Sequence, residues 1–489
     1  MKQSMIPHIE PATGDSMARK VIASFFGMLV LALAGCGGGG DGGSSASSQS
    51  TSAQPTTRVN VGFFTPEGAP PEIVPNVGFT NINALSPSQV AASLQSAQGS
   101  SFKVNVDFTN ISTVSMPASL IGMTYHDLSG AQYTKQFSPI SPAPKLKQFP
   151  PSDQLKAALD PYFDVLKQYP TNVGTVFLVD EPYLNGISKS ELERAGAVAR
   201  QELDARGLQS VKLGVIFAGG MFDSDFAKQM DGESGEYAQK WDSWYQRGEA
   251  VINGQAIDSQ IDPATFQQWV KSFSTKRLTT YDLAGNMYTG GGIPQGFDVV
   301  GFDFYLGTIL LDQTYEHSLS WFAANVPGSG CSQFAGQTMT QIRSKLSFFN
   351  DGPQLVGQQY QDSDRILLDA IFQCRMRATA ALLEKDVAGR NVDLLMISGS
   401  NSNDVLEYDT TGNPKQNQPP QLIESRVRDE VWRAENFYST QEFRAGLAFF
   451  TYDDEYDASI NESIGGAKSM PTVMSSIYQF AKTGAISPR

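Results

Sequence analysis

Two adjacent carboxylates follow an apolar run in residues 175–186, TVFLVDEPYLNG. The residues before them are β-prone and show no polar alternation, which is typical of a strand buried on both faces. Pro182 cannot donate to a strand ladder, so we expect the strand to end there and to leave Asp180 and Glu181 at its carboxyl end. The helical pattern from Lys189 to about Leu203 completes a βα unit, and chemistry in parallel α/β folds occurs at such strand ends.

Acidic residues also mark the carboxyl ends of other predicted strands, and aromatic residues lie beside them. The acids are Asp107, Asp303, Asp453, Asp454 and Glu455. The aromatic neighbours are Tyr183, Phe304, Tyr305, Tyr360, Tyr452 and Tyr456. In a barrel of parallel strands all of these side chains would meet at one mouth.

A cleft lined by carboxylates and aromatic rings suits carbohydrate, because sugar hydroxyls need acceptors and the apolar faces of sugars stack on rings. Hydrolysis of a glycosidic bond needs two carboxyl groups: one is protonated and delivers a proton, and the other acts as nucleophile or base. Crowding acids in a partly dry mouth keeps one of them protonated near neutral pH. The acids therefore indicate a sugar-binding or sugar-cleaving mouth.

The chain around these residues alternates short β-like runs with helical patterns. The predicted strands are 76–82, 103–108, 175–179, 211–217, 297–305, 354–360, 392–398 and 446–452. Most are separated by a predicted helix, and roughly 430 residues suffice for one (β/α)8 TIM barrel with insertions. An open doubly wound sheet is the alternative. No glycine-rich strand-to-helix fingerprint for a nucleotide is present, because Gly219-Gly220 and residues 290–292 lack the required spacing.

Three of these segments carry a resemblance to a known family. The sequence VDEP at a strand end resembles the Asn-Glu-Pro or Asp-Glu-Pro acid/base signature of barrel-type glycoside hydrolases. DVVGFDFY (298–305) is similar to their strand Asp-Val-Ile-Gly-Asn/Asp-x-Tyr, and GLAFFTYDD (446–454) resembles their closing strand. The motifs are short and run in order between residues 76 and 457. The resemblance implies a barrel that hydrolyses O-glycosidic bonds, with Glu181 as general acid/base.

The sequence departs from the family at the nucleophile. The family's nucleophilic Glu normally ends the strand after the Asp-x-Tyr strand, whereas predicted strand 354–360 carries Gln358 and Gln359, which cannot attack an anomeric carbon. Asp303 is the best candidate for the second catalytic acid, with 454–455 as the alternative. Glu181 also falls on the third predicted strand instead of the family's fourth, so 58–64 (RVNVGFF) or the region of Met123 is a candidate for a missed strand.

Other residues at the predicted mouth are candidate substrate contacts. They are Asp107, Asp180, Tyr183, Tyr305, Gln359, Tyr452 and Asp453. Each functional reading has a structural alternative: Glu181 can cap the following helix or pair with an Arg, Asp303 can join a buried ion pair, and 453–455 can be a solvated loop. The tryptophans at 241, 244 and 269 fit a core as well as a sugar platform.

Composition restricts the partners of the chain. A net charge of −14 over 489 residues disfavours a nucleic-acid or anionic-lipid surface as the partner. The three histidines, His8, His126 and His317, are scattered, and the cysteines lack metal-ligand or redox spacing, so we expect no metal and no other cofactor. A carbohydrate partner is expected, and the sequence leaves the oligomeric state open.

The N-terminus has the pattern of a secretory signal. Arg19 and Lys20 precede an apolar run over 21–34 that is too short to span a membrane comfortably, and the run ends Leu-Ala-Gly before Cys36. This ending resembles the lipobox of bacterial lipoproteins, which implies cleavage before Cys36 and acylation of its thiol. Met17 is an alternative start. Gly37 in place of the Asp that signals inner-membrane retention favours the outer membrane.

These features divide the chain into three parts. Residues 1–35 are the predicted signal peptide, 36–57 the lipidated Cys with a Gly/Ser-rich tether, and 58–489 the barrel. In an oxidising compartment Cys331 and Cys374 could form a disulfide closing a loop of roughly 40 residues. Two buried free thiols are the alternative.

Two function hypotheses follow. The first is a lipid-anchored envelope glycosidase that cleaves a poly- or oligosaccharide, with Glu181 protonating the leaving oxygen and Asp303 as base or nucleophile. The second is a catalytically inactive barrel that binds an exported glycan or scaffolds polysaccharide export. A non-sugar hydrolase is disfavoured, because the chain has no Gly-x-Ser-x-Gly elbow and no His at a recognisable strand end.

Overall fold

The computed structural model describes most of the chain after residue 58. The described residues are 59–115, 147–182, 187, 189–219, 293–306, 310, 317–347, 360–402, 420–441, 443–457 and 462–489, with the backbone of short strands at 124–126, 132–135, 251–252, 255–256 and 280–282. The predicted signal peptide, Cys36 and the tether lie outside them, so those assignments stay predictions.

Eight parallel strands form a closed barrel, which confirms the (β/α)8 fold and excludes the open doubly wound sheet. In chain order the strands are β1 Val61–Phe64, β2 Phe79–Asn83, β3 Lys103–Asp107, β4 Val173–Asp180, β5 Lys212–Ala218, β6 Val299–Phe304, β7 Asp393–Gly399 and β8 Gly446–Phe450. Each pairs with its neighbours in sequence, and β1 closes the barrel by pairing with β8, Phe63 opposite Phe449. All eight carboxyl ends therefore lie at one mouth.

One of the eight predicted strands was wrong, and a strand outside that count takes its place. β1 lies within 58–64, the segment named above as a candidate for a missed strand, and its four residues are too few for a clear pattern. The predicted strand 354–360 is not in the barrel: Tyr360 directly precedes a helix, and 354–359 lie outside the described residues. With β1 included, Glu181 follows the fourth barrel strand, and the strand after β6 is β7.

Helices follow most of the strands in the described part of the chain, whereas 65–78, between β1 and β2, has turns only. The helices are α1 Pro87–Ser96, α2 Thr109–Ser112, α3 Ser152–Leu166, α4 Lys189–Ala205, α5 Ser318–Asn325, α6 Met339–Arg343, α7 Asp362–Asp386, α8 Pro420–Tyr438 and α9 Pro471–Thr483. In α3 the buried residues recur at helical spacing, and the rings of Tyr162 and Phe163 contact Phe108 edge-on at 5.4 and 5.7 Å. The main apolar core thus lies between the strands and this helical layer.

The interior of the barrel is filled by a second, smaller apolar cluster. Its buried members are Phe79, Phe177, Ile216, Val299, Leu395, Ile397 and Ala448, all on barrel strands. The Phe177 ring needs a glycine on the neighbouring strand, because a Cβ on Gly214 would lie 2.5 Å from it. The polar groups at the mouth therefore lie above closely packed apolar side chains, which leave little room for water beneath them.

Short antiparallel ladders occur outside the barrel. Val114–Ser115 pairs with Lys147–Gln148 next to the mouth, with Ser115 opposite Lys147. Other small ladders join Thr124–His126, Gln132–Lys135 and Thr280–Asp282, and join Glu455–Asp457 to Glu462–Ile464. In the described part of the chain, no helix is long and apolar enough to cross a membrane.

Cys331 and Cys374 form a disulfide between the segment after α5 and the middle of α7, at a sequence separation of 43. Both cysteines are buried. The bond ties a loop of the β6–β7 crossover to the long helix that returns the chain to β7.

We expect loss of this disulfide to lower the free energy of unfolding by about 4 kcal/mol, because cross-linking a loop of this length restricts the unfolded chain. The Cys331→Ser, Cys374→Ser double variant should show the loss in denaturant titrations. Reductant should destabilise the wild type to the same extent and leave the variant unchanged. Equal stability of both proteins without reductant would contradict the predicted contribution.

Candidate active site

A bulge at the end of β4 sets the position of Glu181. Phe177 lies opposite Gly214, but Asp180, three residues on, lies opposite Ile216, only two residues on, so β4 has one extra residue here. Glu181 then adopts a φ of +46°, in the left-handed region that non-glycine residues rarely occupy. Its N–H donates to the carbonyl of Ile216 at 2.9 Å, which holds this turn in place. Backbone strain of this kind typically occurs at functional sites.

Thr109, at the start of α2, connects the ends of β3 and β4. Its backbone N–H donates to Asp107 Oδ1 at 2.6 Å, and its side-chain oxygen accepts the N–H of Asp180 at 2.8 Å. These bonds fix the Asp107 carboxyl and the Asp180 backbone relative to each other. Both strand ends therefore present their acids from a rigid base.

Asp303 is placed by β6, on the far side of β5 from β4. Its Oδ1 accepts the backbone N–H of Gly219 at 3.0 Å, just beyond the end of β5. Gly219 is needed there, since a Cβ would lie 2.4 Å from the Asp303 carbonyl oxygen. The side chains of Asp303 and Glu181 are hydrogen-bonded to each other. The two carboxyl groups predicted to be catalytic are thus in direct contact.

Lys147 brings a positive charge to this site. It lies on the short strand Lys147–Gln148, whose partner Val114–Ser115 follows α2, and its charge acts on Asp107, Asp180 and Glu181. We call Asp107, Asp180, Glu181, Asp303 and Lys147 the mouth cluster. All four acids are partly buried. Three of the four carboxyl groups thus interact with the Lys147 ammonium group.

The surroundings raise the pKa of every acid in the mouth cluster. Burial raises the pKa of Glu181 well above its usual value, and the charges of Asp303 and Asp180 raise it further. Burial also raises the pKa of Asp180 well above its usual value, with the charges of Asp107 and Asp303 next in importance. The pKa of Asp107 is raised by burial, with its bonds to Thr109 and the charge of Lys147 opposing the shift.

Burial raises the pKa of Asp303 to about 7, and the hydrogen bonds from Gly219 and Glu181 limit the increase. A hydrogen bond between two carboxyl groups requires a proton on one of them. Burial favours the protonated form of both groups, which retains the proton that the contact needs. Near neutral pH the pair can therefore supply one proton donor and one proton acceptor.

The remaining predicted contacts at β6 and β8 occupy different environments. Tyr305 is 9% exposed and packs edge-on against Phe450 at 6.1 Å. The Tyr452 hydroxyl donates to Glu72 Oε1 at 2.9 Å, and Asp453 forms an ion pair with Lys468 at 3.1 Å. Tyr452 and Asp453 are thus already engaged in protein contacts, and their role as sugar contacts stays a prediction.

The carboxyl end of β7 carries no acid among the described residues 398–402. Ser400 and Asn401 follow the strand there. The Ser400 N–H and the Asn401 side-chain amide both donate to the carbonyl of Phe450, at 2.7 and 2.9 Å. Where the sequence resemblance leads us to expect a nucleophilic Glu, the chain therefore places a hydroxyl and a carboxamide that tie β7 to β8.

Tyr183, Gln359 and Cys36 lie outside the described residues, so their predicted roles stay predictions. Sequence reasoning missed two members of the site, Thr109 and Lys147. The one available signal was the position of Thr109, two residues after Asp107 at the end of a strand. A threonine hydroxyl at such a position can accept a hydrogen bond from a backbone N–H group. For Lys147 no local signal exists, because a ladder between distant segments brings it to the mouth.

The described acids do not form a ready-made metal centre. Among the described residues, no three or more His, Cys, Asp or Glu side chains are arranged to hold a metal ion. The mouth cluster instead carries a hydrogen bond between carboxyl groups and a neighbouring ammonium group.

Comparisons with known proteins return similar folds at very low sequence identity. No protein-family model matches the sequence, and no curated protein matches it. Among solved structures, a glycoside hydrolase family 5 enzyme from Prevotella bryantii B14 is 10% identical over 90% of this chain and 100% of its own, with a TM-score of 0.35. A variant of that enzyme in complex with a xyloglucan tetradecasaccharide is 9% identical over 88% and 97% of the two chains, with a TM-score of 0.33.

A structure from a study of two plant beta-glucan endohydrolases is 13% identical over 83% of this chain and 94% of its own, with a TM-score of 0.32. These scores are too low to carry an argument about ligands or residues. The barrel assignment rests on the closed strand order of the chain itself.

We expect Lys147→Met to raise the pKa values of Asp107, Asp180 and Glu181, because the variant lacks the charge that stabilises their ionised forms. Lys147→Arg should restore them. Carboxyl carbon chemical shifts followed by NMR across the pH range give the measurement. Lys103→Met is the matched control, since Lys103 lies at the opposite end of β3. Unchanged titrations in Lys147→Met would show that Lys147 does not act on this site.

Proposed function

We propose that this barrel hydrolyses O-glycosidic bonds in a poly- or oligosaccharide at the mouth cluster. The observation that carries the proposal is the contact between the side chains of Glu181 and Asp303 at the carboxyl ends of β4 and β6, where burial raises the pKa of both carboxyl groups. One group of the pair can give a proton at neutral pH while the other accepts one or attacks carbon. Glycoside hydrolysis requires this division of roles between two carboxyl groups.

In the proposed reaction Glu181 protonates the leaving oxygen as its bond to the anomeric carbon breaks. Asp303 either removes a proton from the attacking water or attacks the anomeric carbon itself. Asp107 and Asp180 accept hydrogen bonds from sugar hydroxyls. The positive charge of Lys147 lowers the pKa values of three of the acids, and so it limits how many of them are protonated at a given pH.

Substrate has to separate the two catalytic carboxyl groups. A direct hydrogen bond is shorter than the ~5–5.5 Å between the carboxyls of retaining enzymes and the ~6.5–9.5 Å of inverting ones. The glycosidic oxygen must replace Asp303 as the acceptor of the Glu181 proton. Sugar binding therefore exchanges one hydrogen bond of Glu181 for another, and the separation reached with substrate determines the stereochemical outcome.

The charge of the site favours neutral sugars. Among the described residues, the mouth cluster holds four carboxyl groups and the Lys147 ammonium group, so a uronic acid or a phosphorylated sugar would meet repulsion from those carboxyl groups that are ionised. The net charge of −14 for the whole chain acts in the same direction.

We expect Glu181→Gln and Asp303→Asn each to lower kcat/KM for a neutral oligosaccharide by about 10²–10⁴-fold, the usual contribution of a general acid or base. In the wild type, kcat/KM should rise with pH as Asp303 ionises near pH 7 and fall at higher pH as Glu181 loses its proton. Reducing-end release across the pH range gives both limbs.

Asp204→Asn is the matched control, because Asp204 lies on α4 away from the mouth and pairs only loosely with Arg200 at 3.6 Å. It should leave the pH profile unchanged. Full turnover in Glu181→Gln would rule out its role as proton donor.

A carbohydrate-binding barrel without turnover is the second candidate. One observation favours it: the end of β7, where the sequence resemblance implies a nucleophilic Glu, carries Ser400 and Asn401. In that case wild type and Glu181→Gln would bind oligosaccharide with similar affinity, and neither would release reducing ends. Calorimetry on both proteins, next to the turnover assay, separates the two candidates.

We also propose that the protein is exported and anchored to the outer membrane by lipid on Cys36. The signal pattern and the small residues before Cys36 support this address. The Cys331–Cys374 disulfide supports it independently, because structural disulfides persist in oxidising compartments.

We expect cells that express the full chain to incorporate labelled palmitate into the protein, and Cys36→Ser to abolish the label. Cys374→Ser should keep it, since Cys374 is buried in the barrel domain and bonded to Cys331. Mass spectrometry of the mature N-terminus should place the acyl groups on Cys36. An unmodified, uncleaved N-terminus would refute the anchor.

A further inference from the structure

A hollow of about 340 Å³ opens on the outer wall of the barrel, between α7, α8 and the loop that carries Cys331. Trp432 and Asn436 of α8 and Gln373 of α7 line it, together with Gln333 from the loop. Helices of the barrel run back from the mouth toward the amino ends of the strands, so the second half of α8 lies away from the mouth cluster. The hollow is therefore a separate feature from the proposed active site.

The Trp432 ring is held in place from one side. The guanidinium carbon of Arg489 lies 3.6 Å from the ring centroid, and Arg489 forms ion pairs with Asp369 and Asp429. Asp369 also accepts a hydrogen bond from Arg433 Nε at 2.9 Å. A partly exposed aromatic ring fixed in this way loses little conformational entropy when a ligand stacks on it.

Three carboxamide side chains converge on the same hollow: Gln333, Gln373 and Asn436. Within the described part of the chain, their amide groups make no hydrogen bond. Each carboxamide offers donors and an acceptor, and a sugar hydroxyl is likewise both donor and acceptor. An apolar ring flanked by such groups provides a stacking surface and hydrogen-bonding partners for one pyranose unit.

Two guanidinium groups beside the hollow are paired with carboxylates of the protein. Arg433 and Arg489 both form ion pairs with Asp369, and Arg433 is also paired with Asp429 and Glu430. A third, that of Arg377, lines the hollow beside Gly330. A neutral ligand leaves the buried ion pairs intact, and Arg377 can donate hydrogen bonds to its hydroxyl groups.

We propose that this hollow is a second carbohydrate-binding site, which takes neutral sugar units of a glycan chain by stacking on Trp432 and hydrogen bonding to Gln333, Gln373 and Asn436. The site does not depend on the mouth being catalytic. If the mouth cleaves glycan as proposed above, a polymer held on the outer wall raises the local concentration of chain at the mouth.

Affinity electrophoresis in native gels that contain soluble β-glucan, xyloglucan or mannan tests the site. We expect at least one polymer to retard the wild type, and the Gln373→Ala, Asn436→Ala double variant and Trp432→Ala each to weaken that binding at least tenfold. The double variant matters because Trp432→Ala also removes the stacking partner of Arg489. Gln95→Ala with Gln98→Ala, on the exposed end of α1, is the matched control and should bind like wild type.

Turnover of a short oligosaccharide should be unchanged in both hollow variants, so failure of this site and failure of the proposed catalysis are distinguishable. Equal retardation of wild type and variants, or no retardation by any of the three polymers, overturns the proposal. Retardation by gelatin alone, lost in the same variants, would assign the hollow to polypeptide and overturn it as well.

Discussion

The hydrogen bond between Glu181 and Asp303 requires that one of the two carboxyl groups keeps its proton. A carboxyl group in water would be ionised at neutral pH. Two features retain the proton. The interior beneath the mouth is filled by side chains such as Phe177 and Ile216, so the ionised forms are poorly solvated. Closure of the barrel also brings the ends of β3, β4 and β6 together, so that ionising one acid raises the pKa of the others.

The backbone geometry at the end of β4 determines which of the crowded acids form a pair, namely Glu181 and Asp303. Regular alternation from Phe177 would place Asp180 on the outer face of the sheet, and the bulge between them instead brings Asp180 into register with the interior residue Ile216. The extra residue and the left-handed φ of Glu181 bring its carboxyl to Asp303. The strained turn is held by the Ile216 carbonyl and followed by Pro182, so it is built into the end of the strand and does not depend on a bound ligand.

The sequence was most informative where the structure is local. The acids of β3, β4 and β6 could be predicted because a buried strand and its stop signal are contained in a few consecutive residues, as in Val179, Asp180 and Pro182. Lys147 could not, since it reaches the mouth through pairing with Ser115, over thirty residues earlier in the chain. β1 could be named only as a candidate for a missed strand, because four residues carry little periodicity. The bulge was invisible for a similar reason: it is a mismatch between two strands, and neither strand shows it alone.

The position of the second acid explains the contact between the carboxyl groups. In the family that the motifs resemble, the nucleophile follows the strand after the Asp-x-Tyr strand, which here is β7 and ends in Ser400 and Asn401. The acid opposite Glu181 is supplied by β6 instead, one interstrand spacing of about 4.8 Å closer to β4 along the wall. A second acid on β7 would lie far enough from Glu181 for a sugar carbon to fit between the two carboxyl groups. Asp303, on β6, lies close enough to form a hydrogen bond with Glu181. In the proposed hydrolysis, therefore, part of the binding free energy of the sugar must separate Glu181 from Asp303 before reaction. In a binding protein the same contact would simply persist beside the ligand.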